Sequence, residues 1–513
     1  MMANELQKIG NAEPVALLKI PVLAISEWRE AVLQEVRAGA RICALFALPP
    51  RDSPVDPADG LARFGALKSR LYAVLGHDRE AALAVCATDV EKAYPSLSQV
   101  IPQAHWFERE IAETCGVIPQ GHPRLKPIRA PLSDAPFFEV AGDSIHEVAV
   151  GPVHAGVIEP GHFRFQCHGE QVFHLEIALG YQHRGVERAL IGGPGLRTLH
   201  YMETLSGDTS IGHALAYVQA MEPLVGIEPP RRAAAIRGIA LELERLANHV
   251  GDLGALAADV GYLPTASFCG GLRGDFLNLT ARICGSRLGR KLLRPGGVCF
   301  DLPENAAVEF TRSLEGALRH VNEAAELLWS RSSVLGRFEH VGVVSAETCT
   351  DLGLVGPVAR ACGVKNDVRA DFPSGIYRHA KVAVATHAGG DVFSRARVRW
   401  LEIQESGRLI RSLLSELAEG LAEGPILHEA FRAGRAAPVL APDRLVVSLV
   451  EGWRGEICHV LITDRNGRIA RYKVIDPSFH NWSGLEMALR NQQISDFPLC
   501  NKSFNLSYCG HDL

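Results

Sequence analysis

Residues 231–250 read RRAAAIRGIALELERLANHV, and the spacing of their apolar side chains decides the fold class. Ile236, Ile239, Ala240, Leu243, Leu246, Ala247 and Val250 recur at i, i+3, i+4 intervals, the rhythm of a helix face that has to be covered. Helical patterns extend on both sides, from about Gly185 to Leu335, so the stretch reads as part of a helix bundle packed on its neighbours. Toward the C-terminus, Leu445–Val450, Ile457–Ile462 and Ile469–Ile475 are β-patterned, with Asn466–Gly467 as the hairpin turn.

In the other direction, short β-like runs surround Gly151–Phe165 and Gln171–Ile177. Before them lie Pro123, Pro127, Pro131 and Pro136; each fixes its own φ and turns its predecessor away from the helical region, which predicts an extended connector, open to proteases between Gly121 and Pro136. Earlier still, a helical pattern at Trp28–Ala38 alternates with β-rich runs at Arg41–Ala47, Ser69–Val74 and Ala81–Ala87. A further helix starts near Ala104 and stops at Gly116. The expected fold is α+β in two domains. Residues 1–135 form a small α+β domain with its proline-rich connector, and residues 136–513 a mainly α-helical bundle domain with β-hairpins.

Composition excludes several functions. With 47% hydrophobic and 22% charged residues among 513, the chain is not predominantly disordered, and it is long enough to need no metal or disulfide for stability. Its 53 basic and 58 acidic residues leave a net charge of −5 with no basic stripe, which argues against nucleic acid as a partner. MMANELQKIGNAEP has no basic region leading into an apolar stretch, so no signal peptide is expected and the chain is placed in the cytoplasm. The longest uncharged helical stretch, Thr209–Met221, is too short to cross about 30 Å of hydrocarbon, so any membrane association runs through partner subunits. Twelve cysteines form no CxxC pair and read as small buried hydrophobes.

Six of the 20 histidines fall between His146 and His183, none at the spacing of a zinc helix. The segment GPVHAGVIEPGHFRF, Gly151–Phe165, has glycine and proline at both ends and predicts a hairpin whose tip projects Glu159 and His162. A carboxylate and an imidazole buried together pass protons; the bland alternative is a solvent-exposed turn.

These motifs carry a resemblance. HWFEREIAETCGVIPQGHP, His105–Pro123, resembles the signature of the 30-kDa subunit of respiratory complex I. GPVHAGVIEPGHFRF, ALGYQHRGVERAL (Ala178–Leu190), LRPGGVCFDLP (Leu293–Pro303), GDVFSRARVRWLEI (Gly390–Ile403) and VEGWRGEICH (Val450–His459) resemble the 49-kDa subunit and its relatives, the large subunits of membrane-bound [NiFe]-hydrogenases. Fusion of both parts in one chain is similar to the large subunits of formate hydrogenlyase and hydrogenase-4. The resemblance implies an oxidoreductase of electron transport, in a family with NAD and quinone binding among its properties.

The departures from that pattern shape the expectation. In the hydrogenases, two CxxC pairs hold nickel and iron through soft thiolates. Here the resemblance puts those four ligands at Ser206, Thr209, Ser507 and Gly510, and all four have lost sulfur. Cys509 is one residue out of register, and a protonated hydroxyl is no substitute for a thiolate. The quinone clamp of complex I, a histidine and a tyrosine, falls on Pro160 and Gly207. What remains in the implied cavity is Glu159, His162, Arg164, Asp208, His213, Asp391 and Arg395, with the hairpin tip expected within a few ångströms of Ser206, Asp208 and His213.

The resemblance thus implies a subunit of a hydrogenase-related or NADH:quinone-oxidoreductase-related complex, joining electron transfer to proton or ion movement without a nickel–iron centre. It implies no metal or cofactor in this chain and iron–sulfur clusters in a small partner subunit. Membrane-arm and antiporter-like subunits complete the expected complex, at the inner face of the cytoplasmic membrane. The alternative is a redox-inert scaffold that holds those partners together.

Overall fold

Chain order brings an α+β layer first and a bundle second, and buried charges tie them together. The computed structural model describes residues 6–49, 68–129, 136–154, 158–302, 304–420, 424–431 and 439–513. The first sheet is built from β1 (Gln7–Ile9), β3 (Val22–Leu23), β4 (Arg41–Leu48), β5 (Ser69–His77) and β6 (Ala82–Val90), while β2 (Val15–Ala16) leaves it to pair with a strand near the C-terminus. In β4, Ile42–Ala47 are all buried, because α2 (His105–Cys115) and strands of the C-terminal sheet pack against it, while α1 (Ile25–Arg37) covers β5 and β6. Helix α2 ends at Gly116 in the left-handed conformation, at φ 64°, which suits glycine as a C-terminal cap.

β7 (Ala93–Pro95) and β8 (Ile118–Gln120) then run parallel, and β9 (His146–Val150), β10 (His162–His168) and β11 (Gln171–Ala178) make a three-stranded antiparallel sheet. The hairpin expected at residues 151–165 is the β9–β10 connection, of which residues 155–157 lie outside the described residues.

Short α3 (Val186–Ala189) and α4 (Thr198–Glu203) lead to α5 (Ser210–Met221) and to α6 (Arg231–Asp259), 29 residues or roughly 44 Å long. With α7 (Leu263–Cys284), the two-stranded pair β12 (Leu293–Arg294) and β13 (Gly297–Val298), and α8 (Glu304–Trp329), the chain reaches the bundle's far side. Short α9 (Ser332–Phe338), α10 (Ala346–Leu352), α11 (Gly356–Ala361) and α12 (Val368–Asp371) return to it, and α13 (Val392–Ala418) closes it against α6 and α8. Helix α6 is buried nearly all round, because α7, α13 and the C-terminal sheet each cover part of it.

That sheet has the order β16–β15–β14–β2, from β14 (Arg444–Gly452), β15 (Gly455–Thr463) and β16 (Ile469–Ile475). The β15–β16 turn is organised by Asp464, whose side chain accepts from the N–H groups of Asn466 and Arg468, with Gly467 left-handed beside it; Asn–Gly alone does not make the turn. Helices α14 (Pro477–Ala488), α15 (Phe497–Phe504) and α16 (Tyr508–Asp512) finish the chain.

The described part of the proline-rich segment is no loose linker. Arg124 and Lys126 both grip Glu176 of β11, Arg129 pairs with Glu110 of α2, and Glu113 accepts from the N–H groups of Ile128 and Arg129. Protease cuts within 121–129 are therefore not expected, and residues 130–135 lie outside the described residues. Lys473 of β16, fully buried, bonds Glu110 at 2.5 Å and Glu187 at 2.8 Å, and Arg41 of β4 bonds Glu456 of β15 at 2.6 Å. Trp106 of α2 donates to Ser483 and packs edge-on against His511. The HWFERE motif is thus an internal joint between the N-terminal layer and the C-terminal helices.

Among the described residues no helix is long and apolar enough to cross a membrane. All twelve cysteines are free, and nine are buried. Burial pushes up the thiols of Cys86 and Cys500, each to about 12.

Candidate functional site

The turn before α5 and the turn before α16 meet. Ser206 Oγ lies 3.0 Å from Ser507 Oγ, although the two are 301 residues apart. Ser206 and Thr209 each donate a hydroxyl to Asp208 Oδ1, at 3.0 and 3.1 Å, and Trp453 donates its indole N–H to Thr209 Oγ1 at 3.1 Å. Arg454, on the β14–β15 turn, closes the cluster with a fork on Asp208 at 2.6 and 2.8 Å while its guanidinium lies over the Trp453 ring. Burial alone would raise the Asp208 carboxyl; the Arg454 charge and hydrogen bonds outweigh it and hold it down at about 2.

Ser507 caps α16 by accepting from the Gly510 N–H at 2.9 Å, and Gly510 itself packs on Asp476. Glu159 reaches the same place from the β9–β10 connection, where its carboxylate accepts from the Tyr508 N–H at 3.2 Å. The Cys509 thiol sits beside Glu159, Ser507 and the Gly207 backbone, and burial, with Glu159's charge, pushes it up to about 11.

His213, one turn into α5, lies beneath this cluster in a chain of fully buried groups. Its Nε2 is 3.0 Å from Asp476 Oδ2 and its Nδ1 is 3.1 Å from His459 Nε2. His459 Nδ1 is 2.8 Å from the Tyr472 hydroxyl. An ionised Asp476 only accepts, so with neutral rings the hydrogens run one way: Tyr472 to His459, His459 to His213, His213 to Asp476. Burial acts to raise Asp476, but the His213 hydrogen bond and the Arg454 charge hold it below the usual carboxylate range. Burial, with His213 nearby, keeps His459 well below the usual imidazole range and so neutral. Glu244 of α6 caps α5 from below, accepting from the Ile211 and Gly212 N–H groups, and burial raises it to about 8.

Other residues expected in the cavity lie elsewhere. Phe163 and Phe165 of β10 point into the core, so alternation sends His162 and Arg164 to the opposite face. There His162 Nδ1 lies 3.0 Å from the Gly151 carbonyl and its ring packs on Phe137, while Arg164 covers Phe137 and pairs with Glu147. The structure brings Glu159 to the Ser507 turn and does not bring His162 with it. Asp391 caps α13 by accepting from Ser394 N–H and hydroxyl and from the His340 N–H. Arg395 is spent on Ser503 Oγ and the carbonyls of Gly390 and Gly342.

Arg454, Asp476, His459 and Tyr472 were not among the residues singled out from sequence. Asp476-Pro477 reads locally as a helix cap, and Asp476 does cap α14 through the Ser478 N–H; its second oxygen serves His213. The donors present do not suit nickel and iron. Three of the four thiolate positions carry hydroxyls that stay protonated near neutral pH, the fourth is a glycine within a helix cap, and Asp208 is taken by a guanidinium. Among the described residues no three His, Cys, Asp or Glu side chains are grouped as a metal would need.

Comparison with known proteins agrees with the motifs. Residues 259–512 match the model of the respiratory-chain NADH dehydrogenase 49-kDa subunit, and residues 59–134 match that of the 30-kDa subunit. The chain is 29% identical to formate hydrogenlyase subunit 5 of Escherichia coli strain K12, over 81% of its own length and 76% of that protein's. It is 32% identical to the carbon monoxide-induced hydrogenase of Rhodospirillum rubrum, over 71% and 98%. With an NADH-quinone oxidoreductase subunit of Solibacter usitatus it shares 30% identity, over 68% and 91%.

Proposed function

Because the chain belongs to the family of the respiratory-chain NADH dehydrogenase 49-kDa subunit, with a segment of the 30-kDa family fused ahead of it, we propose that it is a subunit of a membrane-associated oxidoreductase complex that joins electron transfer to proton or ion movement. In this reading it docks an iron–sulfur small subunit and membrane-arm, antiporter-like subunits at the inner face of the cytoplasmic membrane. It holds no nickel–iron centre and no other cofactor of its own.

The observation that carries the reading is the Asp208–Arg454 cluster at the thiolate positions, set above the chain Asp476–His213–His459–Tyr472. Such a site offers one thiol, Cys509, where four thiolates are needed, but it can hold and pass a proton. When a proton reaches His213, both its nitrogens become donors and Asp476 stabilises the cation. His459 must then accept at Nε2 and donate at Nδ1, and the Tyr472 hydroxyl turns from donor to acceptor. One proton therefore reverses the two hydrogen bonds between His213, His459 and Tyr472, while His213 goes on donating to Asp476.

The scaffold reading is favoured by one feature: the cluster's hydroxyls already satisfy one another. Asp476→Asn and His459→Gln separate the two in the complex expressed from its own operon and placed in vesicles. Loss of ion movement with assembly intact is the expected result, whereas unchanged coupling supports the scaffold. Elemental analysis of the same preparation is expected to find no nickel; a stoichiometric amount overturns the proposal.

A further inference from the structure

A second buried polar cluster lies away from the one described above, between α6, α11, α12, α13 and β14. It contains three guanidinium groups, Arg245, Arg360 and Arg369, and four carboxylates, Glu242, Asp367, Glu402 and Glu451, none more than 3% exposed. The pairing is continuous. Arg369 bonds Glu242 and Asp367, Arg360 pairs with Asp367, Glu402 and Glu451, and Arg245 bonds Glu242. With every group ionised and His249 neutral, the cluster carries one uncompensated negative charge in a buried setting, where an unpaired charge is costly.

The four carboxylates are not equally served. Glu242 accepts from Arg245, Arg369, the Tyr377 hydroxyl and the Ser406 hydroxyl. Asp367 has both arms of Arg369, and Glu402 has two contacts from Arg360 plus His249 Nε2 at 2.8 Å. Glu451 has one guanidinium contact, from Arg360 at 2.9 Å, and the Val368 N–H at 2.9 Å; Arg245 bonds its backbone carbonyl instead of its side chain. Across the sheet from it stands Glu456, already engaged by Arg41. His249 Nδ1, buried at the other end of the cluster, has no hydrogen-bond partner among the described residues.

Glu451 also differs in access. With Val368, Arg369 and Tyr377 it lines a cavity of about 560 Å³ that runs out between α6 and the 375–378 turn to Glu228 and Arg378, which are 86% and 53% exposed. Glu242, Asp367 and Glu402 do not line it. We propose that this cluster is a proton-binding site, in which Glu451 carries one exchangeable proton that it trades with solvent through the cavity. Burial likewise raises the Glu451 carboxyl, to about 7, against the pull of Arg360. The inference stands apart from the proton chain at His213 and does not depend on it.

The test uses the full chain and two readouts, the protonated-carboxyl C=O band in infrared spectra and thermal stability, each followed from pH 5.5 to 8.5. Glu451→Gln should remove one carboxyl's share of the band seen at the acid end. Its Tm should exceed the wild type's by a margin that grows from pH 5.5 to about pH 7 and then levels off, because the folded wild type keeps a proton that the unfolded chain releases above about pH 4.3. A band identical in the variant, or a Tm deficit that is the same at every pH, overturns the proposal, since Glu451 would then be ionised throughout. Should Glu451→Gln not fold, Glu244→Gln/Glu486→Gln/Asp371→Asn removes the other carboxyls raised to between about 6 and 8. A carboxyl band at pH 7 that disappears by pH 8.5 then supports the site, and its absence at pH 7 refutes it.

Discussion

Asp208 keeps 33% of its side chain exposed while Arg454 keeps 6%, and that asymmetry decides which half of the pair matters more. Asp208→Asn leaves a buried guanidinium without its counter-charge, which costs about 3 kcal/mol. Arg454→Met leaves a carboxylate that can turn to water, and discounting for that screening the cost falls to about 1–2 kcal/mol. Urea unfolding of the two variants should rank them in this order; the reverse order would mean that Asp208 is not held by Arg454. Tyr472→Phe removes the hydroxyl that serves His459 Nδ1 in a buried site and should cost about 1–2 kcal/mol by the same measurement. None of these partners was legible beforehand, because the contacts join residues 246 apart in one case and 263 in another, and no local pattern reports such a distance. His162 is a different matter. The alternation of Phe163 and Phe165 with His162 and Arg164 was present in the sequence and, read with period two, puts His162 and Arg164 on the face away from the core.

At the scale of elements, periodicity carried the reading wherever one face of a segment had to be buried. The expected helix at Ala104–Gly116 is α2 to within a residue, and the three C-terminal strands differ from β14, β15 and β16 mainly at their ends. In the described part of the proline-rich segment the prolines fix local geometry, while Glu176, Glu110 and Glu113, on other elements, decide whether it is held. Gly238 tests the packing of α6 directly. Alanine there would favour the helix by up to about 1 kcal/mol. Its Cβ, however, would sit 2.7 Å from Ile376 Cγ2, and overpacking of that kind costs about 1–3 kcal/mol. Gly238→Ala should therefore be net destabilising, by about 1–2 kcal/mol in thermal or urea unfolding. A gain in stability would show that the 375–378 turn gives way freely.

For the whole molecule, buried ionisable groups set a pH profile whose limbs can be assigned in advance. Glu110, Asp208 and Glu242 are held at about 2 by their cationic and hydrogen-bonding partners against the opposing effect of burial. Their unfolded values lie near 4, so the stability they confer is complete above about pH 4 and is lost as pH falls toward 2. Burial lowers His105 and His480 to about 3, and lowers His249 and His459 as well. Unfolded histidine binds protons below about 6.5, so these four add stability as pH rises to that value and nothing beyond it. Glu451 and Glu486, raised by burial to about 7, and Glu244, raised to about 8, act with the opposite sign. The folded chain keeps their protons where the unfolded chain has lost them, so stability falls from about pH 4.3 up to pH 7–8. Between about pH 4.5 and 6.5 the histidines and these acids oppose each other; above 6.5 only the acids remain. The Tm should therefore be nearly level from about pH 5 to 6.5, drop steeply below pH 4, and decline again toward pH 8. Replacing Glu244, Glu451 and Glu486 together by glutamine should flatten the alkaline limb and leave the acid limb in place. A wild-type Tm that keeps rising to pH 8 would mean that these three carboxyls reach water in the folded chain.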